Sequence, residues 1–86
     1  CWGLTVVHSD VRGTKKAIDD TIYEAGASNL QSSHRDFPDY GVAYDLNALD
    51  QKLSDADLRA IIERAADLTG DATAIRSIRQ FPIEEG

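Results

Sequence analysis

Eighty-six residues leave room for one hydrophobic core and no second domain beside it. Nine Lys and Arg are dispersed among fifteen Asp and Glu, for a net charge of −6, so the chain lacks the basic stripe that a nucleic-acid binder needs. No run approaches the ~20 apolar residues of a membrane span, and a membrane partner is equally unexpected.

Leu4-Thr5-Val6-Val7 is short and rich in β-branched residues, which predicts a strand ending near His8. Ser9 to Thr14 then carry turn and cap chemistry. After Gly13, apolar or small residues recur at Ala17, Ile18, Thr21, Ile22 and Ala25, the stripe of a first helix closed by Gly26. Residues 28–34 are polar and weakly alternating, an edge strand, and Arg35 to Asp39 read as a turn around Pro38, which has no N–H for a ladder. Tyr40 to Leu46 predict a strand whose apolar residues are Val42, Tyr44 and Leu46, with Asn47 to Leu53 as a connector. Ser54 and Asp57 form a capping-box pattern ahead of a second helix. Its stripe is Leu58, Ile61, Ile62, Ala65 and Leu68, and Gly70 ends it. Ala72 to Phe81 hold a last strand whose register Ile75 and Ile78, three apart, leave open; Pro82 stops it, and 82–86 are expected to fray. The order β-α-β-β-α-β predicts an α+β, ferredoxin-like fold: a four-stranded antiparallel sheet with two helices on one face.

The segment Val7-His8-Ser9-Asp10-Val11-Arg12-Gly13, followed by Gly26 at the helix end, resembles the ligand loop of the ACT domain family. That family opens with a strand, then His-x-Asn-x-Pro-Gly, then a helix ending in Gly-x-Asn. The likeness is greatest to the C-terminal regulatory domains of D-3-phosphoglycerate dehydrogenases. It implies a single ACT-like domain over 1–86, a fragment of a larger chain that is regulatory rather than catalytic. It also implies a homodimer or higher homo-oligomer, and a small, serine-like amino acid bound between the strand 1–helix 1 loop and the dimer interface. Such a ligand would allosterically control an amino-acid biosynthetic enzyme, as in serine biosynthesis, whose parent chain is an NAD-dependent dehydrogenase. By the same likeness the ligand residues are His8, Asp10, Arg12, Gly13 and Thr14 of one subunit with Ser28 or Asn29 of the other. Three positions depart from the pattern: Asp10 stands for Asn, Arg12 for Pro, and Ser28 for Asn with Asn29 beside it. An added carboxylate holds an ammonium harder and repels a carboxylate, which Arg12 offsets at the same mouth. These departures favour the alternative of an ACT-like dimerisation module with an emptied ligand loop.

Plainer roles stand beside these. His8 fits a structural histidine at a strand end, Asp10 a helix cap, Gly13 and Gly26 backbone geometry, and Lys15 and Lys16 a solvated face. His34-Arg35 fits an exposed turn, Tyr23, Tyr40 and Tyr44 amphipathic core edges, and Trp2 a cover for the sheet's apolar edge or for a neighbouring domain. Catalytic patterns are missing: there is no Cys-x-x-Cys or His-Glu-x-x-His spacing, no glycine-rich phosphate loop and no Gly-x-Ser-x-Gly elbow. The two histidines lie twenty-six residues apart, so neither a metal nor a cofactor is expected. Cys1 as an N-terminal nucleophile with its own α-amine as base would need a larger core around it. One cysteine closes no internal disulfide, which fits a reducing, cytoplasmic setting.

Overall fold

The computed structural model describes residues 1–9 and 12–83. Its elements run β1 (Trp2–Ser9), α1 (Thr14–Glu24), β2 (Asn29–Phe37), a 3-10 turn (Pro38–Tyr40), β3 (Val42–Leu49), α2 (Asp55–Thr69) and β4 (Ile75–Pro82). The strands lie in the order β2-β3-β1-β4 with every neighbouring pair antiparallel, the ferredoxin-like arrangement. No helix of the described residues is long and apolar enough to cross a membrane.

Strand alternation sends Leu4 and Val6 of β1 toward the helices. There they join Ile18 and Ile22 of α1, Leu49 of β3, Leu53, and Ile61 of α2 in one buried cluster. A second contact of small residues, Ala17, Ala65 and Ala74, brings the helices close. Gly13, at the entrance to α1, lies against Leu68 of α2. Its φ is 113°, and a Cβ there would lie 3.1 Å from the Cβ of Leu68. Both facts oppose any side chain, so Gly13→Ala is expected to cost about 1–2 kcal/mol, read as a lowered midpoint in thermal denaturation. Helix α2 opens as its sequence requires: Ser54 Oγ accepts from the Asp57 N–H at 3.1 Å, and Asp57 Oδ2 accepts from the Ser54 N–H at 3.2 Å.

The buried positions of β3 are Ala43, Asp45, Asn47 and Leu49, so the alternating apolar residues Val42, Tyr44 and Leu46 lie on the phase away from the helices. The inward phase tolerates Asp45 and Asn47 because each finds hydrogen-bond partners there, while the more apolar phase lies on the sheet's other side. β3 thus runs on through the expected connector to Leu49, and β2 through the expected turn to Phe37, leaving Pro38–Tyr40 to reverse the chain. Tyr23 and Tyr40 are over 80% exposed, at 84% and 81%, rather than packed at the core edge. Trp2 is half-buried, with Lys52 Nζ 5.2 Å from its ring centroid.

The spacing of Ile75 and Ile78 has a structural cause. Val7 pairs with Ser77 and His8 with Ile75, so Arg76 is bulged out of the ladder. The bulge resets the alternation, and both isoleucines pack against the core. β4 continues through Pro82, and the Ile83 N–H donates to the Cys1 carbonyl at 2.9 Å; of the tail expected to fray, 84–86 lie outside the described residues.

Candidate functional site

The inward row of β1 is Leu4, Val6 and then His8, a polar residue where the apolar row would continue. On β3 the matching row carries Asp45, opposite Val6 on one side and opposite His34 of β2 on the other. His8 is therefore diagonal to Asp45, and three strands deliver two imidazoles to one carboxylate. His8 Nε2 donates to Asp45 Oδ2 at 2.6 Å, and His34 Nδ1 donates to Asp45 Oδ1 at 2.5 Å. The outer nitrogens are held too. His8 Nδ1 lies 2.8 Å from the Ser9 carbonyl and 2.9 Å from Thr14 Oγ1, and His34 Nε2 lies 2.6 Å from Asp36 Oδ1.

Each ring has oxygen partners on both nitrogens, and a neutral imidazole has only one N–H to give, so the geometry favours the imidazolium form of both. Burial works against the charge on His8, yet the bond to Asp45, the Ser9 carbonyl and the Asp45 charge outweigh it and raise its pKa above the usual 6.5. His34 is raised by its bonds to Asp45 and then Asp36. For Asp45, burial pushes upward, but the bonds and charges of the two histidines win and hold its carboxyl below 3.8. His8 and Asp45 are 3% and 1% exposed, whereas the His34 side chain, on the edge strand, is 39% exposed.

Above this cluster opens a cleft of about 550 Å³ lined by His8, Arg12, Gly13, Thr14, Lys15, Lys16 and His34. It lies at the start of α1, whose first turn contains no acidic residue. Lys15 and Lys16 reach back to Asp19 and Asp20 at 3.6 and 2.8 Å, exposed pairs of small energetic weight. In a chain of net charge −6, the cleft gathers three of the nine Lys and Arg residues.

No family model and no curated protein matches the chain. Solved structures do. Formyltetrahydrofolate deformylase from Pseudomonas putida KT2440 aligns with a TM-score of 0.71 and 16% identity over 95% of this chain and 28% of its own. The deformylase from Pseudomonas syringae pv. tomato str. DC3000 gives 0.66 and 11% over 93% and 26%. The C-terminal domain of the MgtC protein from Mycobacterium tuberculosis gives 0.62 and 7% over 93% and 83%. The chain shares their fold. It spans only about a quarter of the length of the two deformylases, 28% and 26%.

Of the residues singled out from sequence, His8, Arg12, Gly13 and Thr14 meet around the cleft. Asp10 lies outside the described residues. Ser28 and Asn29 stand at the opposite end of the sheet, since Asn29 pairs with Leu49 and His8 with Ala43. There the Ser28 N–H donates to Asp50 Oδ1 and Asn29 Nδ2 to Asn47 Oδ1, both at 2.8 Å. Sequence reasoning missed Asp45 and Asp36, and it set His34 at the end of the edge strand, beside an exposed turn, with no role in the site. The available signal was the hairpin: a reversal at Pro38–Gly41 sets His34 opposite Asp45, a basic residue across from an acidic one.

Proposed function

We propose that this chain is an ACT-type regulatory domain that binds a small amino acid in the cleft between β1 and α1. The cleft's charge carries the reading: Arg12, Lys15 and Lys16 beside a helix N-terminus, over a floor of two imidazolium groups, favour a ligand carboxylate. The ligand ammonium falls to Asp10, as the loop resemblance assigns it. Ser28 and Asn29 lie at the far end of the sheet from their own cleft and reach a cleft only from a second copy. The site is then completed by a homo-oligomer, and the ligand favours one arrangement of the copies by its difference in affinity between them. The chain's match to a 28% share of a deformylase supports its being one domain of a longer enzyme, which it controls without itself catalysing. Serine, and a parent such as D-3-phosphoglycerate dehydrogenase, rest on the loop motif.

A thermal-shift screen against the twenty amino acids tests this. A ligand present at a hundredfold over its Kd is expected to add about 2.7 kcal/mol and to raise the midpoint by roughly 10 °C or more. Arg12→Ala is expected to weaken that ligand about tenfold, through loss of one charge-assisted bond, while the midpoint without ligand stays within ~2 °C. A flat screen, or equal affinity in the variant, removes the cleft from the reading. The rival is a dimerisation module, favoured by a β2 exposed along its whole length and by apolar Leu46 and Phe81 on the face away from the helices. Sedimentation separates the two: association indifferent to every amino acid supports the module, and ligand-dependent association supports the sensor.

A further inference from the structure

We infer that His8, His34 and Asp45 form a binding site for one divalent transition-metal ion of the zinc class, a role independent of any amino-acid ligand. One candidate ligand atom from each of the three side chains lies within 4.8 Å of the other two, and His8 Nε2 and His34 Nδ1 reach the two Asp45 oxygens at 2.6 and 2.5 Å. Two imidazole nitrogens and one carboxylate oxygen are a donor set suited to such an ion, with three protein ligands and a further position left open.

The outer nitrogens supply the second observation. A histidine that ligates a metal donates its other ring N–H to a carbonyl or carboxylate, which fixes the tautomer and aims the lone pair at the ion. His8 Nδ1 faces the Ser9 carbonyl at 2.8 Å, and His34 Nε2 faces Asp36 Oδ1 at 2.6 Å. Both rings are therefore turned with their inner nitrogens toward Asp45 and their outer nitrogens supported.

Ligand atoms ~2.0–2.2 Å from one tetrahedral ion lie roughly 3.3–3.5 Å apart, so the imidazole nitrogens must draw back from the Asp45 oxygens they now reach at 2.5–2.6 Å. His34 can supply that movement, since its side chain is 39% exposed on an edge strand while His8 and Asp45 are fixed in the interior. His8 and His34 also line the cleft.

The test is zinc binding by the whole chain, carried out in a Cys1→Ser background so that the exposed thiol takes no metal. Zinc at about a hundredfold over its Kd is expected to raise the thermal midpoint by roughly 10 °C, with one ion per chain by calorimetry and no response to magnesium. His34→Ala should abolish the shift. Asp36→Asn, a surface change that leaves the three ligands in place, should weaken zinc about 10–100-fold. Cobalt substituted for zinc should give a visible spectrum of nitrogen and oxygen ligation without a thiolate band. Absence of stoichiometric binding, or binding that survives His34→Ala unchanged, overturns the site. No amino acid is present in these experiments, so their failure leaves the sensor reading standing, and a flat amino-acid screen leaves the metal site standing.

Discussion

Asp45→Ala is expected to lower stability by about 3 kcal/mol near pH 6, a fall of roughly 12–24 °C in the thermal midpoint of a domain this small. The carboxylate is 1% exposed and is the shared acceptor for two imidazolium groups. Removing it strands the buried His8 charge without its counter-ion and leaves a cavity below the cleft. His34 loses less, because its side chain still reaches water and Asp36. The pH dependence has a definite sign. The histidines' folded pKa values are raised above 6.5, so their contribution is fully present below that pH and is lost as pH rises through the raised values. Asp45 is depressed below 3.8, so its contribution is present above that pH and is lost as pH falls through the lowered value. The gap between wild type and Asp45→Ala should therefore be widest between about pH 4 and 6.5 and narrow toward pH 9, measured with a chelator present. A gap independent of pH would mean that the rings are neutral and that the cluster is an uncharged hydrogen-bond network.

The helices were legible in the sequence because their signals are local. Gly26, Ser54 with Asp57, and Gly70 mark ends within one or two residues of those observed, and the 3–4 spacing identifies the faces. The strands were legible as segments but not in phase. On β3 the alternation is real, yet a rule that turns apolar residues inward selects Val42, Tyr44 and Leu46, the phase away from the helices. What settles the phase lies on other strands: His8 and His34 neutralise Asp45, and Asn29 satisfies Asn47. A buried polar residue can be read from sequence only when its partner is known, and here each partner is eleven to thirty-seven residues away. The β4 register failed for a related reason, since a bulge at Arg76 is a property of the pairing with β1. At the site, the loop motif brought forward His8, Arg12, Gly13 and Thr14, which do meet. It carried no information on the floor beneath them, which β2 and β3 supply.

Ile61→Ala should cost about 2–5 kcal/mol, and Leu68→Ala under about 1 kcal/mol, although the sequence places both on one helical stripe. The stripe Leu58, Ile61, Ile62, Ala65, Leu68 is wider than the area β1 and β4 can cover. Ile61 is at its centre, fully buried among Leu4, Ile18 and Leu53, and truncation there removes transfer free energy and opens a cavity bounded on both sides by packed elements. Leu68 lies at the margin, 48% exposed, with its Cβ rather than its branched end placed at the Gly13 contact. Alanine keeps that Cβ, so the helix–helix approach survives the change. Urea unfolding checks both: the Ile61→Ala midpoint should fall with an unchanged m-value, and Leu68→Ala should lie close to wild type. Equal losses would mean that the exposed end of Leu68 is covered in solution, which is the outcome a contact between copies beside the cleft would give.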